Sequence, residues 1–427
     1  MQRLRLTLVV LCLLEAGLLV AQAADLRTSV GDRPVMRTVA FAPQPDMIVE
    51  EGLPDEGPML DPFDGGCGGS CAAGCNSCCA SSCGIWTDVD FLLGVRHGIR
   101  VPPLVTTSPN GTPAAQAGVL GLATTTVAYP TEAIGEEARP GGRIALGMWI
   151  DPWQCWGVEG RYYALADAHT RFDVQSAGDP ILARPFFDVL LNAQSSLLVA
   201  FPGLVSPGSI TITTDSQMMG GDALVRRSLC RWGGGRLDLL VGYQYARIDE
   251  TLVIQDRLTD ADPANLIPDG TVLSDTDRFA TRNQYHAATI GAACRYEQGL
   301  WSLDLMGKIG LGNMRETVTI SGESVTDNPP IGTPDNVVAA GLLASGVNLG
   351  TFTQDDFCVS PEINVKVIYH LAQNVDISLG YTFVYWSHLV QPGDQIDPSL
   401  RVPADRFVIR DTESWIHAFT VGAAFQF

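Results

Sequence analysis

The chain has 427 residues, with 27 Lys+Arg against 47 Asp+Glu and a formal net charge of -20. That balance excludes a nucleic-acid binder, which needs basic surface. Charged residues are only 17% of the chain, below the roughly 25% usual in soluble domains and suited to a surface that largely faces lipid.

The N-terminus reads as a secretory signal over 1–23. Arg3 and Arg5 give a basic start, residues 6–14 an apolar core, and Ala21-Gln22-Ala23 a small-residue cleavage site. No long charge-free apolar run follows, so a membrane helix is not expected. Residues 24–84 are broken by Pro34, Pro43, Pro45, Pro54, Pro58 and Pro62 and carry scattered acids. They read as a disordered, Pro- and Cys-rich periplasmic lead. The lead ends in Cys67, Cys71, Cys75, Cys78, Cys79 and Cys83. In an exported protein such a cluster points to disulfides or crosslinks between chains. A metal site at Cys75-x-x-Cys78 is the weaker reading, because no second pair and no His or acid accompanies it. Cys155, Cys230, Cys294 and Cys358 stand alone and read as ordinary wall residues.

From residue 85 the chain falls into ten strand-like runs, near 85–95, 141–150, 153–165, 217–231, 235–249, 283–297, 300–316, 354–370, 374–388 and 412–427. The connections alternate strictly. Asp151-Pro152, Trp232-Gly233-Gly234, Gln298-Gly299 and Leu371-Ala372-Gln373 are hairpin turns. Residues 96–140, 166–216, 250–282, 317–353 and 389–411 are long. Short turns at one end and long loops at the other are the asymmetry of outer-membrane barrels. The fold class expected is therefore all-β, a membrane-spanning antiparallel up-and-down β-barrel over 85–427 with about ten strands. Twelve result if segments 171–174 and 210–214 pair within the second long connection.

Within the runs, apolar and polar residues alternate with a period of two. Glu159, Arg161, Asp238, Arg295, Asp304, Lys308, Glu362, Lys366 and Asp376 recur on one face and are the candidate lumen-lining residues. A dry core does not hold that many charges, since each costs several kcal/mol when buried unpaired. A soluble sandwich with apolar residues inside shows the same period, however, and periodicity alone does not separate the two. Trp149, Trp153, Trp156, Tyr162, Tyr163, Trp301 and Tyr369 near the short turns, with Tyr385, Trp386 and Trp415 near the long loops, match interfacial girdles. The last strand ends in Phe419, Val421, Phe425 and Phe427. This apolar face running to a terminal aromatic looks like the signal by which such barrels are recognised for insertion.

The first strand, Trp86-Thr-Asp-Val-Asp-Phe-Leu-Leu-Gly94, with Gly242-Tyr-Gln-Tyr-Ala-Arg247 and Gly380-Tyr-Thr-Phe-Val-Tyr-Trp386, resembles the beta barrel porin-7 family, found mainly in planctomycete bacteria. The resemblance covers residues 85–427. It implies an outer-membrane barrel of porin type and brings no catalytic residues.

A ten-stranded barrel is narrow, between the side-chain-filled eight-stranded type and open porins of 16–18 strands. The lumen residues carry both signs, so mutual pairing would constrict it. The expected role is a porin-like narrow channel or a structural envelope barrel. A closed barrel used for surface adhesion or binding is the alternative, and a barrel-borne hydrolase built on His388, His417, Asp411 and Glu413 is more remote. The expected partners are outer-membrane lipid, the barrel-insertion machinery and small solutes or ions, with no cofactor. Glu250, Asp256, Asp260, Asp262, Asp269, Asp275 and Asp277 in the third long connection read as a solvated acidic loop, with Ca²⁺ binding as the rival.

Overall fold

The computed structural model describes residues 84–264, 268–327, 336–400 and 407–427. The expected signal segment, the lead and the six clustered cysteines lie outside the described residues.

Ten strands make the wall: β1 (Ile85–Arg96), β4 (Arg139–Trp149), β5 (Trp156–Ser176), β8 (Val205–Trp232), β9 (Gly235–Asp260), β10 (Val272–Gln298), β11 (Trp301–Asp327), β13 (Gly350–Ala372), β14 (Val375–Leu389) and β16 (Thr412–Gln426). Each pairs antiparallel with the next, and the ring closes. The first and last strands meet from Trp86↔Gln426 to Arg96↔Ile416. β10 and β11 pair over their whole lengths, from Val272↔Asp327 to Gln298↔Trp301. Closure matters physically, because a ring leaves no unpaired strand edge in hydrocarbon.

The short turns are shaped by their local chemistry. Gly234 and Gly299 take φ of 81° and 64°, the left-handed region that glycine enters without steric cost. In the first turn Asp151 accepts hydrogen bonds from the backbone N–H of Cys155 at 2.9 Å and of Trp156 at 2.5 Å. Burial pushes the Asp151 carboxyl up, but these donors outweigh it and hold the group below the usual carboxylate range.

The strands are longer than the sequence reading at their long-loop ends. Segments 171–174 and 210–214 are the continuations of β5 and β8, paired from Arg171↔Thr213 to Val174↔Ile210. They add no strands, so the ring has ten and not twelve.

The remaining strands lie in the long connections. β2 (Val105–Ser108), β3 (Thr126–Tyr129), β6 (Ile181–Asp188), β7 (Ala193–Ala200) and β15 (Ser399–Leu400) form a second sheet, and β12 (Asn336–Val338) adds to β11. The second sheet fills the long-loop half of the ring. Its Leu104, Val105, Leu182, Val199 and Ala200 pack in one cluster with inward Ile210, Ile212, Leu252, Ile254, Leu258, Phe279, Val318 and Ile320 of the wall. Each such side chain contributes about 1.5–3 kcal/mol on burial, so the gross cohesion of this cap is on the order of tens of kcal/mol.

The outward face changes character along the strands. Near the short turns it is apolar: Val89, Phe91, Ile144, Leu146, Val225, Val241, Ile290, Leu311, Val367, Ile377, Leu379, Phe419 and Val421 are all exposed. An apolar surface running round the whole ring is far larger than soluble monomers tolerate and marks a lipid contact. Further along, the outward positions become Thr251, Gln255 and Arg257 on β9, Arg278 and Arg282 on β10, and Arg315, Thr317 and Thr319 on β11. The inward positions at that height are apolar cap contacts interleaved with buried acids such as Glu250, Asp256 and Asp277. The wall is thus inverted near the short turns and built like a soluble protein beyond them.

Candidate functional site: the barrel interior

The inward side chains form layers, taken here from the short-turn end. The mouth is a cavity of about 650 Å³. Trp86 and Trp149 line it, with ring centroids 5.1 Å apart. Arg236 stacks over Trp149 at 3.7 Å and Arg226 over Trp86 at 5.8 Å, arrangements that favour the guanidinium by cation–π attraction. Ion pairs tie these arginines to the wall: Glu159–Arg226 at 2.7 Å, Arg226–Asp238 at 3.3 Å and Arg236–Asp238 at 2.6 Å.

Two groups of charges lie deeper. Asp90 on β1 pairs with Arg143 on β4 at 2.8 Å and with Lys366 on β13 at 3.0 Å. Arg143 also donates to the Thr382 hydroxyl on β14 at 3.1 Å. The other group is a quartet. Arg161 on β5 donates to Asp222 on β8 at 2.9 Å and to Glu362 on β13 at 3.1 Å. Lys308 on β11 pairs with Glu362 at 2.9 Å and also with Asp222. Strands β5 and β13 are not neighbours in the ring, so the Arg161–Glu362 bond crosses the interior. The quartet carries two positive and two negative charges and is almost fully shielded from solvent. Mutual pairing and hydrogen bonding make that burial tolerable.

Above the quartet, Tyr285 and Trp386 are buried in an apolar layer with Leu92, Met218, Ile248 and Met314. Arg96 bridges to Glu250 and donates to the Ser216 hydroxyl at 2.7 Å. Arg184 of β6 then pairs with Asp256 of β9 and Asp277 of β10, all three fully buried. Asp277 also accepts the N–H of Leu343 at 2.9 Å and of Ala344 at 2.7 Å. Arg184 and Asp277 thereby pin two long connections to the wall.

All nine sequence-predicted lumen residues face inward. Each is paired: the six above, Arg295 with Asp304 at 2.6 Å, and Asp376 with His370 at 2.7 Å. They brace the interior across its width. Sequence reasoning missed Asp90, Arg143, Asp222, Arg226 and Arg236. The signal was present for Asp222, because Met218, Gly220, Asp222 and Leu224 share one face of a period-two strand.

Several expectations are corrected. Trp149, Tyr163 and Trp386 point inward, so the girdle is made by others. Trp156 and Trp301 are exposed on the outer wall by the short turns. At the other edge Tyr243 hydrogen-bonds His286 at 2.5 Å, Tyr381 hydrogen-bonds His417, and Trp415 lies 4.5 Å from His417. The acidic third loop is mostly wall: Glu250, Asp256, Asp260 and Asp277 lie on β9 and β10 and are buried. Their alternation with Leu252, Ile254 and Leu258 puts them inside rather than in solvent. Cys155 is disulfide-bonded, while Cys230 and Cys358 are free, so the expectation of four ordinary wall cysteines fails for Cys155. Phe419, Val421 and Phe425 are exposed on the outer face of β16, and Phe427, past its end, is exposed and borders the mouth cavity. His388 pairs with Asp411 at 2.5 Å, and Tyr385 donates to Glu413 at 2.7 Å, on the outer edge of the girdle.

The family model described as Putative beta barrel porin-7 (BBP7) matches residues 86–427. Among solved structures, the outer membrane protease OmpT from Escherichia coli aligns over 82% of this chain and 100% of its own, at 10% identity and TM-score 0.38. The CymD monoaromatic hydrocarbon channel aligns over 81% and 89%, at 6% identity and TM-score 0.21. The P. putida toluene transporter TodX aligns over 81% and 91%, at 6% identity and TM-score 0.16. At those TM-scores none of the three bears on function. No curated protein matches the chain.

Proposed function

The chain belongs to the Putative beta barrel porin-7 family, and from that premise we propose that it is a closed, structural barrel of the outer membrane. In this reading it conducts nothing in its resting state and carries a folded cap on its long-loop side, with the short turns and the N-terminal lead in the periplasm. The observation that carries this reading is the filled interior. The Arg161–Asp222–Lys308–Glu362 quartet crosses the ring, and a dry core occupies the ring above it. An ion entering from the mouth cavity meets paired charges and then hydrocarbon side chains, neither of which replaces a hydration shell. The role is structural rather than catalytic. The outward stripe of β16 is the segment offered to the insertion machinery.

A binding role for the cap is the second reading, favoured by one observation. The turn between β6 and β7 exposes Leu190 at 68% and Leu191 at 74%, held out by Asp188, whose carboxylate accepts both of their backbone N–H groups at 2.9 and 3.2 Å.

Efflux from proteoliposomes tests the first reading. Vesicles loaded with potassium and a small dye are expected to leak no faster with the protein than without it. Leakage that scales with protein content contradicts a closed barrel.

A further inference from the structure

We propose that the β9–β11 sector of the outer wall binds anionic phosphate headgroups of the lipid leaflet on the long-loop side. The sector lies one row beyond the edge of the apolar belt. On these strands the belt ends at Tyr243, Ile290 and Leu311, all exposed. The next outward row is Tyr245↔His286↔Asn313, and arginines stand in the two rows after it. Arg247 and Arg315 flank Gln284 in one register row, Arg247↔Gln284↔Arg315. Arg282 stands one outward step further along β10, opposite Asp249. Each outward step spans about 7 Å along the strand, so Arg247 and Arg315 stand two steps past Tyr243 and Leu311 and Arg282 three, on the headgroup side of the Tyr245–His286 row.

Their arrangement suits a phosphate. Arg247 and Arg282 converge on one carboxylate, Asp249, at 2.6 and 3.0 Å. Two cations sharing one anion leave a net positive charge and spare N–H donors, since each guanidinium carries five. Arg315 makes no ion pair among the described residues. Planar guanidiniums bind phosphate oxygens bidentately. His286 and its hydrogen bond to Tyr243 at 2.5 Å form a floor at the lipid edge.

The position is selective within the molecule. At the same edge the other sectors are acidic, with Asp167 and Asp215 on β5 and β8 and with Asp411 and Glu413 about β16. The whole chain carries a net charge of -20, so a basic face at lipid depth runs against its overall charge. Juxtamembrane cations are drawn to anionic headgroups, and among the described residues this sector offers a cluster of them.

The test uses the full chain reconstituted in vesicles of phosphatidylcholine with one-fifth phosphatidylglycerol, then extracted with mild detergent. The ratio of the two lipids retained by the protein is the readout. Wild type is expected to enrich phosphatidylglycerol, and each arginine replaced among R247Q, R282Q and R315Q is expected to lower that enrichment roughly fivefold. R315E alone, which disturbs no ion pair, gives the same sign and guards against a misfolded triple variant. Asp215→Asn is expected to change nothing. Equal enrichment in wild type and in both R315E and the triple variant overturns the proposal. So does displacement of the lipid by millimolar inorganic phosphate at constant ionic strength, which would make the sector a free-phosphate site.

Discussion

Lys308 has its ammonium buried between Asp222 and Glu362, and its loss leaves two carboxylates in the interior facing Arg161 alone. Removing one partner of such a group costs about 3–5 kcal/mol. Lys308→Ala is therefore expected to lower the urea midpoint of the detergent-folded barrel strongly, and Glu362→Gln in the same background to recover part of the loss by removing the surplus negative charge. An unchanged midpoint in the single variant refutes the bracing role. Asp394, in the connection before β16, gives a pH test outside the wall. Burial pushes its carboxyl above the usual range, so the folded state holds the proton more tightly than the unfolded state does. Stability from this group is highest in acid and is lost as pH rises through the raised value. Asp394→Asn is expected to raise the Tm at pH 7 and to do much less at pH 4. An equal effect at both pH values rules out the ionisation. At this scale the sequence revealed inward charge but not pairing, because partners such as Arg161 and Glu362 are 201 positions apart and no period links them.

The strands carry a switch that a single alternation rule does not read. Along β9 the outward side runs Leu237, Leu239, Val241, Tyr243 and Tyr245, then Arg247, Asp249, Thr251, Val253, Gln255 and Arg257. The inward side runs Asp238, Leu240 and Gln244, then Leu252, Ile254 and Leu258 with the buried acids Glu250, Asp256 and Asp260 between and beyond them. The apolar face changes sides while the pleat continues. The ten strands and their short turns were legible because the lipid-facing part has the clean inverted pattern. Their long-loop ends were not, because the pattern there reverses to that of a soluble sheet and looks like a break. This locates the belt testably. Arginine at a lipid-facing midplane position costs about 2–4 kcal/mol, falling to about 0–1 near the interfaces. Leu379→Arg on β14 should show the larger cost in folding titrations in lipid, and Thr319→Arg on β11, past the belt, should show almost none. Equal costs at the two sites overturn the boundary.

The described barrel is one closed wall in two solvents, with an apolar belt and charged interior at one end and a polar surface and largely apolar interior at the other. The ambiguity between a lipid-facing barrel and a soluble sheet thus resolves into both, stacked along one axis. The cap was not legible in the sequence, because β2, β3, β6 and β7 sit inside connections whose partners are set only when the ring closes. The cysteines make a further prediction at this scale. Cys155 is bonded at the short-turn end, and an exported chain keeps such bonds. Mass spectrometry of the unreduced protein is expected to find Cys155 in a disulfide-linked peptide and Cys230 and Cys358 alkylatable after unfolding. A free Cys155 contradicts this.

The closed interior is tested most directly by single-channel recording in a planar bilayer. With folded protein inserted and 1 M salt on both sides, the account predicts a baseline current at all moderate voltages. Stable, unitary steps that scale with protein added would show an aqueous path past the quartet and the cap, and would contradict it.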